Sequence, residues 1–231
     1  MRPDAPRLPH IFPMKLRSLF LAALVLVSGA SGLHAQTMDW GNDVFGDVVD
    51  STGAALDHTF VFELGAFDAG FMPDETNMGS WIGHWNVFDR AQFNAALGYF
   101  ASSVNMLPNG SSDSAYVTQD FGSFEGLNAY LFVRNDNSMV STTEWLLVRA
   151  EGWIYPEADE CCPGDLSIEW SLSDVVAETP LYGSQDGITG PGVVSMPGVH
   201  DLQTHTFVPE PGVALLATLG LLAAAIRRRR I

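Results

Sequence analysis

Side chains able to do chemistry are few in this chain and fall into three small groups. Cys161 and Cys162 stand next to each other in Glu-Cys-Cys-Pro-Gly-Asp. Adjacent cysteines can close only a small, strained ring, and outside the cytoplasm thiols tend to oxidise. The pair is therefore either a vicinal disulfide or two thiols, free or bonded to another chain. It is not a zinc site, which needs four spaced ligands. The second group is aromatic: Trp81, Trp85, Trp145, Trp153, Tyr155 and Trp170. Exposed rings stack on sugar rings, whereas buried rings build the cores of small β-domains. Trp145 and Trp170 sit in strand-like runs and read as core. Trp153 and Tyr155 precede Pro156 in a turn-like segment and are the candidates for carbohydrate contact, with core packing as the competing reading. The third group is an acidic turn of Glu157, Asp159, Glu160 and Asp165, whose oxygens suit calcium. Its spacing matches no named calcium loop, and a solvated turn explains it as well.

Signatures of catalysis are missing. There is no His-Glu-x-x-His, Gly-x-Ser-x-Gly, phosphate-cradling glycine loop or EF-hand loop. His58, His84, His200 and His205 are scattered, and none neighbours a convincing nucleophile. Carboxylates are so numerous that choosing a pair for glycoside hydrolysis carries no information. The expectation is a non-enzymatic protein without a cofactor. The formal net charge is −16, and of the eleven Lys and Arg only Arg90, Arg134 and Arg149 lie between Gln36 and Phe207. Such an acidic region repels nucleic acid and anionic lipid. Nucleic acid is excluded as a partner.

The elements that would hold these residues are short. His58–Leu64 alternates and is rich in β-formers, as are 115–119, 127–134, 144–150 and 166–172. Gly65–Gly79 and Ser102–Ser114 read as loops, and Asn135–Ser138 as a hairpin turn. Asp89 caps a short helix reaching Phe100, because Phe93, Leu97 and Phe100 recur at helical spacing. The fold class is mainly β: a single β-sandwich or jelly-roll-like domain with at most one short helix. It is expected at 36–182, and the Gly/Pro-rich 183–207 reads as a linker.

Both ends read as export signals. After a proline-rich start extension, Met14-Lys-Leu-Arg-Ser precedes the apolar Leu19–Val27 and small residues to Gly32, the layout of a signal peptide cut after Ala35 or, second, Ala30. At the other end Pro209-Glu210-Pro211 precedes the uncharged run Val213–Ile226, then Arg227, Arg228, Arg229 and Arg230. The prolines make a stiff, extended stretch that cannot join a helix. A helix over 213–226 is about 21 Å long, short for a bilayer core of about 30 Å, so flanking arginines must snorkel or the membrane must thin. The arginine cluster keeps the C-terminus on the cytoplasmic side. The expected layout is a signal helix within 1–35, an exported region, and a tail at 208–231 with a transmembrane helix.

This tail resembles the PEP-CTERM sorting signal of Gram-negative bacteria. The resemblance implies recognition and cleavage by an exosortase-type membrane enzyme acting on Pro209, Glu210, Pro211 and the Arg227–Arg230 cluster. It further implies an inner-membrane anchor before processing, then the cell surface or extracellular matrix, with exopolysaccharide and biofilm as the setting. It covers only the tail. For the exported region the expected role is structural or adhesive, with binding of exopolysaccharide through a carbohydrate-binding module as the alternative and a secreted hydrolase third.

Overall fold

The computed structural model describes residues 35–42, 48–138, 140, 142–157, 167–177, 181–185, 188–192 and 201–207. These residues form eleven strands in chain order: β1 (Gln36–Gly41), β2 (Val48–Val49), β3 (Val61–Phe67), β4 (Trp85–Asn94), β5 (Tyr99–Met106), β6 (Tyr130–Arg134), β7 (Glu144–Val148), β8 (Ile168–Ser171), β9 (Ser184–Gln185), β10 (Leu202–Gln203) and β11 (His205–Thr206). One α-helix, α1 (Met78–His84), follows a 3-10 turn at Glu75–Asn77 that Asp74 caps. The chain is mainly β, with an eight-stranded curled sheet in the order β11-β7-β6-β3-β4-β5-β1-β8 and a three-stranded sheet β2-β10-β9. Neighbouring strands are antiparallel except β1 with β8 and β2 with β10.

The large sheet is covered on both faces, and its central strands show why. In β3 every residue after Val61 is buried, and β6 is buried throughout, so both strands are covered on either face, even at the charged positions Glu63 and Arg134. Side chains still alternate between faces. Phe62, Leu64, Leu131, Val133, Leu146 and Val148 join the larger core. Phe67, Tyr130, Phe132, Trp145 and Leu147 join a second core with Trp81 of α1, Trp85, Tyr182 and Phe207. Full burial of such a side chain contributes about 1.5–3 kcal/mol. A β-bulge between Leu64 and Gly65 leaves Phe88 without a ladder partner, and Phe88 is wholly buried against Phe124 and Tyr155. Gly65 is required there: a Cβ would meet Asn86 O at 2.3 Å and the Trp85 ring at 2.7 Å.

Four sequence expectations are corrected. The helix from Asp89 to Phe100 is instead the β4–β5 hairpin, in which Phe93 pairs with Phe100 across the strands. A seven-residue separation fits two turns of helix and this hairpin equally, but Leu97 sits in the connecting turn and is 74% exposed. Asp89 caps nothing; it is buried and accepts from Trp40 Nε1 and Ser114 Oγ. Residues 102–106, expected in a loop, belong to β5. The strand expected at 115–119 is turns, tied to β4 through Thr118 N donating to Val87 O. The linker expected at 183–207 supplies β9, β10 and β11. Gly190 and Gly192 lie against Gly53 and Ala55, where a Cβ on Gly190 would approach Gly53 O to 2.4 Å. Those glycines permit backbone contact and do not mark a loose tether.

Candidate functional site

One open concave surface among the described residues is built by β5, β1 and β8. Met38 and Trp40 of β1 point into the core, while Thr37, Asp39 and Gly41 alternate outward. Register sets their neighbours. Asp39 lies opposite Ser103 of β5 and Glu169 of β8, and Gly41 lies opposite Ala101 and Ser171. Gly41, Ala101 and the serines are small, so the strand backbones form the floor of a depression of about 540 Å³, with Tyr99 at 42% exposure beside it. A Cβ on Gly41 would meet Phe100 O at 2.6 Å. Asn42 fixes the end of β1 to the neighbouring hairpin: its Oδ1 accepts from Phe100 N at 2.9 Å and its Nδ2 donates to Gly98 O at 2.8 Å.

Glu169 and Trp170 also line a second depression, of about 470 Å³, shared with Ala150, Glu151, Gly152, Trp153 and Asp174. No Lys or Arg lines either one. Trp170 stacks on Trp153 with centroids 5.8 Å apart and meets Tyr155 edge-on at 5.4 Å. Five of the six tryptophans donate their indole N–H within the protein: Trp40 to Asp89, Trp81 to Asn77, Trp85 to Glu63, Trp145 to Asp136 O and Trp153 to Asp174. Trp170 is 93% buried by its 7% exposure, yet its Nε1 has no partner among the described residues and is not an enclosed atom.

A different polar centre lies on the second face of the sheet. Glu63, wholly buried in β3, accepts from Arg90 Nε at 3.1 Å and Arg90 Nη2, and from Arg134 Nη2 and Trp85 Nε1 at 2.6 and 2.9 Å. Arg90 lies under the Tyr116 ring and Arg134 over Phe132. Burial pushes the Arg134 guanidinium below its ordinary range, and the Glu63 carboxylate opposes that shift. Buried charge demands such pairing. The centre therefore holds β3, β4 and β6 together. Tyr155 has its hydroxyl buried without a partner, and burial with Asp89 nearby raises its pKa well above the usual tyrosine range.

Among the described residues, a hydroxyl and an imidazole far apart in sequence are brought together. Ser184 Oγ lies 2.6 Å from His205 Nε2. His205 lines a depression of about 480 Å³ with Ser51, Glu75, Met78, Tyr182 and Thr206, but Ser184 does not. Ser184 and His205 are both half-buried. His84 pairs with Asp68 at 2.9 Å, and that contact, with Asn86, holds the Asp68 carboxyl below its usual range. His58 is exposed.

Of the residues singled out from sequence, Trp153 and Tyr155 are 4% and 1% exposed. Their ring faces pack on Trp170, Phe88 and Phe124, so neither presents a stacking platform and the carbohydrate contact expected of them is corrected. Trp145 and Trp170 are buried as expected. Cys161, Cys162, Asp159, Glu160 and Asp165 lie outside the described residues, as do the signal segment, Pro209, Glu210, Pro211 and Arg227–Arg230. Among the described residues no helix is long and apolar enough to cross a membrane, and no three His, Cys, Asp or Glu side chains gather to hold a metal. Sequence reading missed Tyr99, Asp39 and Glu169, because only the register of β5, β1 and β8 makes them neighbours. No family model, curated protein or solved structure matches this chain.

Proposed function

We propose that this chain is an exported protein sorted to the cell surface or matrix through its C-terminal tail, where its acidic domain has a structural or adhesive role and not a catalytic one. The observation that carries this is the ordered tripartite tail: Pro209-Glu210-Pro211, the charge-free Val213–Ile226 and four consecutive arginines. A stiff proline stretch next to a short apolar run is accessible to a membrane enzyme of the exosortase type, and the arginines hold its far side in the cytoplasm. The limits of the β-fold agree with this reading. β1 begins at Gln36, directly after the expected signal cut, and β11 ends at Thr206, ahead of the tail. The exported region is then a sandwich-like domain whose two sheets both draw on residues 201–207, so the fold closes only when nearly all of it is outside. Deleting 208–231 in the native host and fractionating the cells tests the proposal. The truncated protein should be lost from the surface, either released to the medium or left undelivered. Unchanged surface display would overturn the reading.

A further inference from the structure

The folded region ends where the tail begins, and the strand register fixes the end of the sheet at which this happens. The chain leaves β11 at Thr206, which pairs with Glu144, the first residue of β7. Phe207 is buried against Trp145, and its N–H donates to Thr143 O at 2.6 Å, beside the β6–β7 turn. Across the sheet Trp145 pairs with Arg134, Arg134 with Val61, and Phe62 with Ala91. β4 runs on past Ala91 to Asn94, where the β4–β5 hairpin turns. The two turns and the exit of the tail therefore share one end of the sheet. Exposed apolar side chains stand there: Leu97 at 74%, Tyr99 at 42% and Val140 at 48%. Residues 91–112 hold no charged side chain, the longest such stretch between Gln36 and Phe207. The β4–β5 turn is held from both sides. Asn42 Nδ2 donates to Gly98 O, and Asn94 accepts from Leu97 N and Ala96 N at 3.0 and 3.2 Å.

We propose that the β4–β5 turn is a membrane-contact tip, seated in the interface of the bilayer that holds the tail. This inference rests on the reading of 208–231 as a membrane anchor. Only Val208 to Gly212 separate Phe207 from Val213, at most about 21 Å of extended chain, so this end of the sheet stays close to the bilayer. The β4–β5 turn lies four strands from β11, about 20 Å to the side. Leu97 supplies an apolar anchor, and Tyr99 supplies a ring with a polar tip, a side chain favoured at headgroup level. Ala95 and Ala96 add no charge to be desolvated. Asp57, Asp136 and Asp174 flank this end, so contact is confined to the tip and the flanks stay wet. Met72, 79% exposed beyond the opposite end of β3, lies between Asp68 and Asp74 and faces water. Burial of one leucine favours the seated tip by only about ten- to a hundredfold, too little to hold the domain without its tether. Attached to the tail, the tip meets the bilayer at high effective concentration and sets the domain in one orientation.

The test expresses the full-length gene in a Gram-negative host without an exosortase-type enzyme, so that export removes the signal segment and keeps the tail. The purified chain, in a Cys161→Ser, Cys162→Ser background, carries one environment-sensitive fluorophore on Ala96→Cys or, for comparison, on Met72→Cys. It is reconstituted in phosphatidylcholine vesicles with and without nitroxide-bearing lipid. The chain should float with the vesicles, and lipid nitroxide should quench the label at 96 while leaving that at 72 nearly unquenched. Leu97→Asp, a change at an exposed position that spares folding, should reduce quenching at 96 roughly tenfold and leave flotation intact. Equal quenching at both sites of a floating chain, stronger quenching at 72, a label at 96 covered by a second copy of the chain, or unchanged quenching in Leu97→Asp would overturn the contact and spare the anchor. Failure of the tail-bearing chain to float would overturn the anchor and this inference with it.

Discussion

Replacing Glu63 by Gln is the sharpest probe of how the domain is held together. The change keeps side-chain size and removes one negative charge from a carboxylate that is 0% exposed. It leaves Arg134, at 6% exposure, as a buried cation facing an amide N–H₂ in place of one carboxylate oxygen. Breaking a buried pair by neutralising one partner costs about 3–5 kcal/mol, because the remaining charge stays desolvated. Arg90 adds less, since its side chain is 38% exposed and water screens it. For a domain of this size each kcal/mol lowers Tm by about 2–4 °C, so the drop should be roughly 6–20 °C. Thermal unfolding followed by near-ultraviolet circular dichroism measures it, and Trp85, which donates to Glu63, reports locally. Arg90→Ala is the internal comparison and should cost about 1 kcal/mol or less. A fall in Tm below about 2 °C for Glu63→Gln, or a larger fall for Arg90→Ala, would refute the buried-centre reasoning.

Three further outcomes follow from the geometry. Gly65→Ala should destabilise by about 1–3 kcal/mol in urea titration, because the new methyl overlaps Asn86 O and the Trp85 ring; wild-type stability would contradict the bulge. Phe100→Ala should cost about 3–5 kcal/mol while Leu97→Asn stays within about 0.5, a contrast that a helix over 89–100 would not produce; equal losses would restore the helix. Asp68 has its folded-state pKa lowered, first by the hydrogen bond from His84 and then by Asn86. A lowered carboxyl pKa contributes stability above its unfolded value, and that contribution fades as pH falls below about 4. Asp68→Asn should therefore be most costly near neutral pH and nearly neutral near pH 2; an equal loss at both would remove the electrostatic explanation.

How much of this was legible in sequence depended on whether the signal was local. β3, β6, β7 and β8 were each anticipated to within a few residues, because each is a short run of β-branched, leucine or aromatic residues bounded by turns. β1 was missed: Gln-Thr-Met-Asp-Trp-Gly alternates, but its outward positions Thr37, Asp39 and Gly41 made it resemble a polar lead-in. The 89–100 hairpin was misread because two phenylalanines seven apart satisfy either period. Glu63 carried a readable signal, an acid inside Phe-Val-Phe-Glu-Leu in a region with three arginines, although its partners Arg90 and Arg134 arrive from separate strands. The groove could not have been read. Asp39 and Glu169 meet only through a parallel pairing.

The intact mass of the protein isolated from its native host tests the export account most directly. The account predicts a chain beginning at Gln36 and ending within the tail at or near Pro209–Pro211, recovered outside the cytoplasm. A cytoplasmic chain that keeps Leu19–Val27 at one end and Arg227–Arg230 at the other would contradict it.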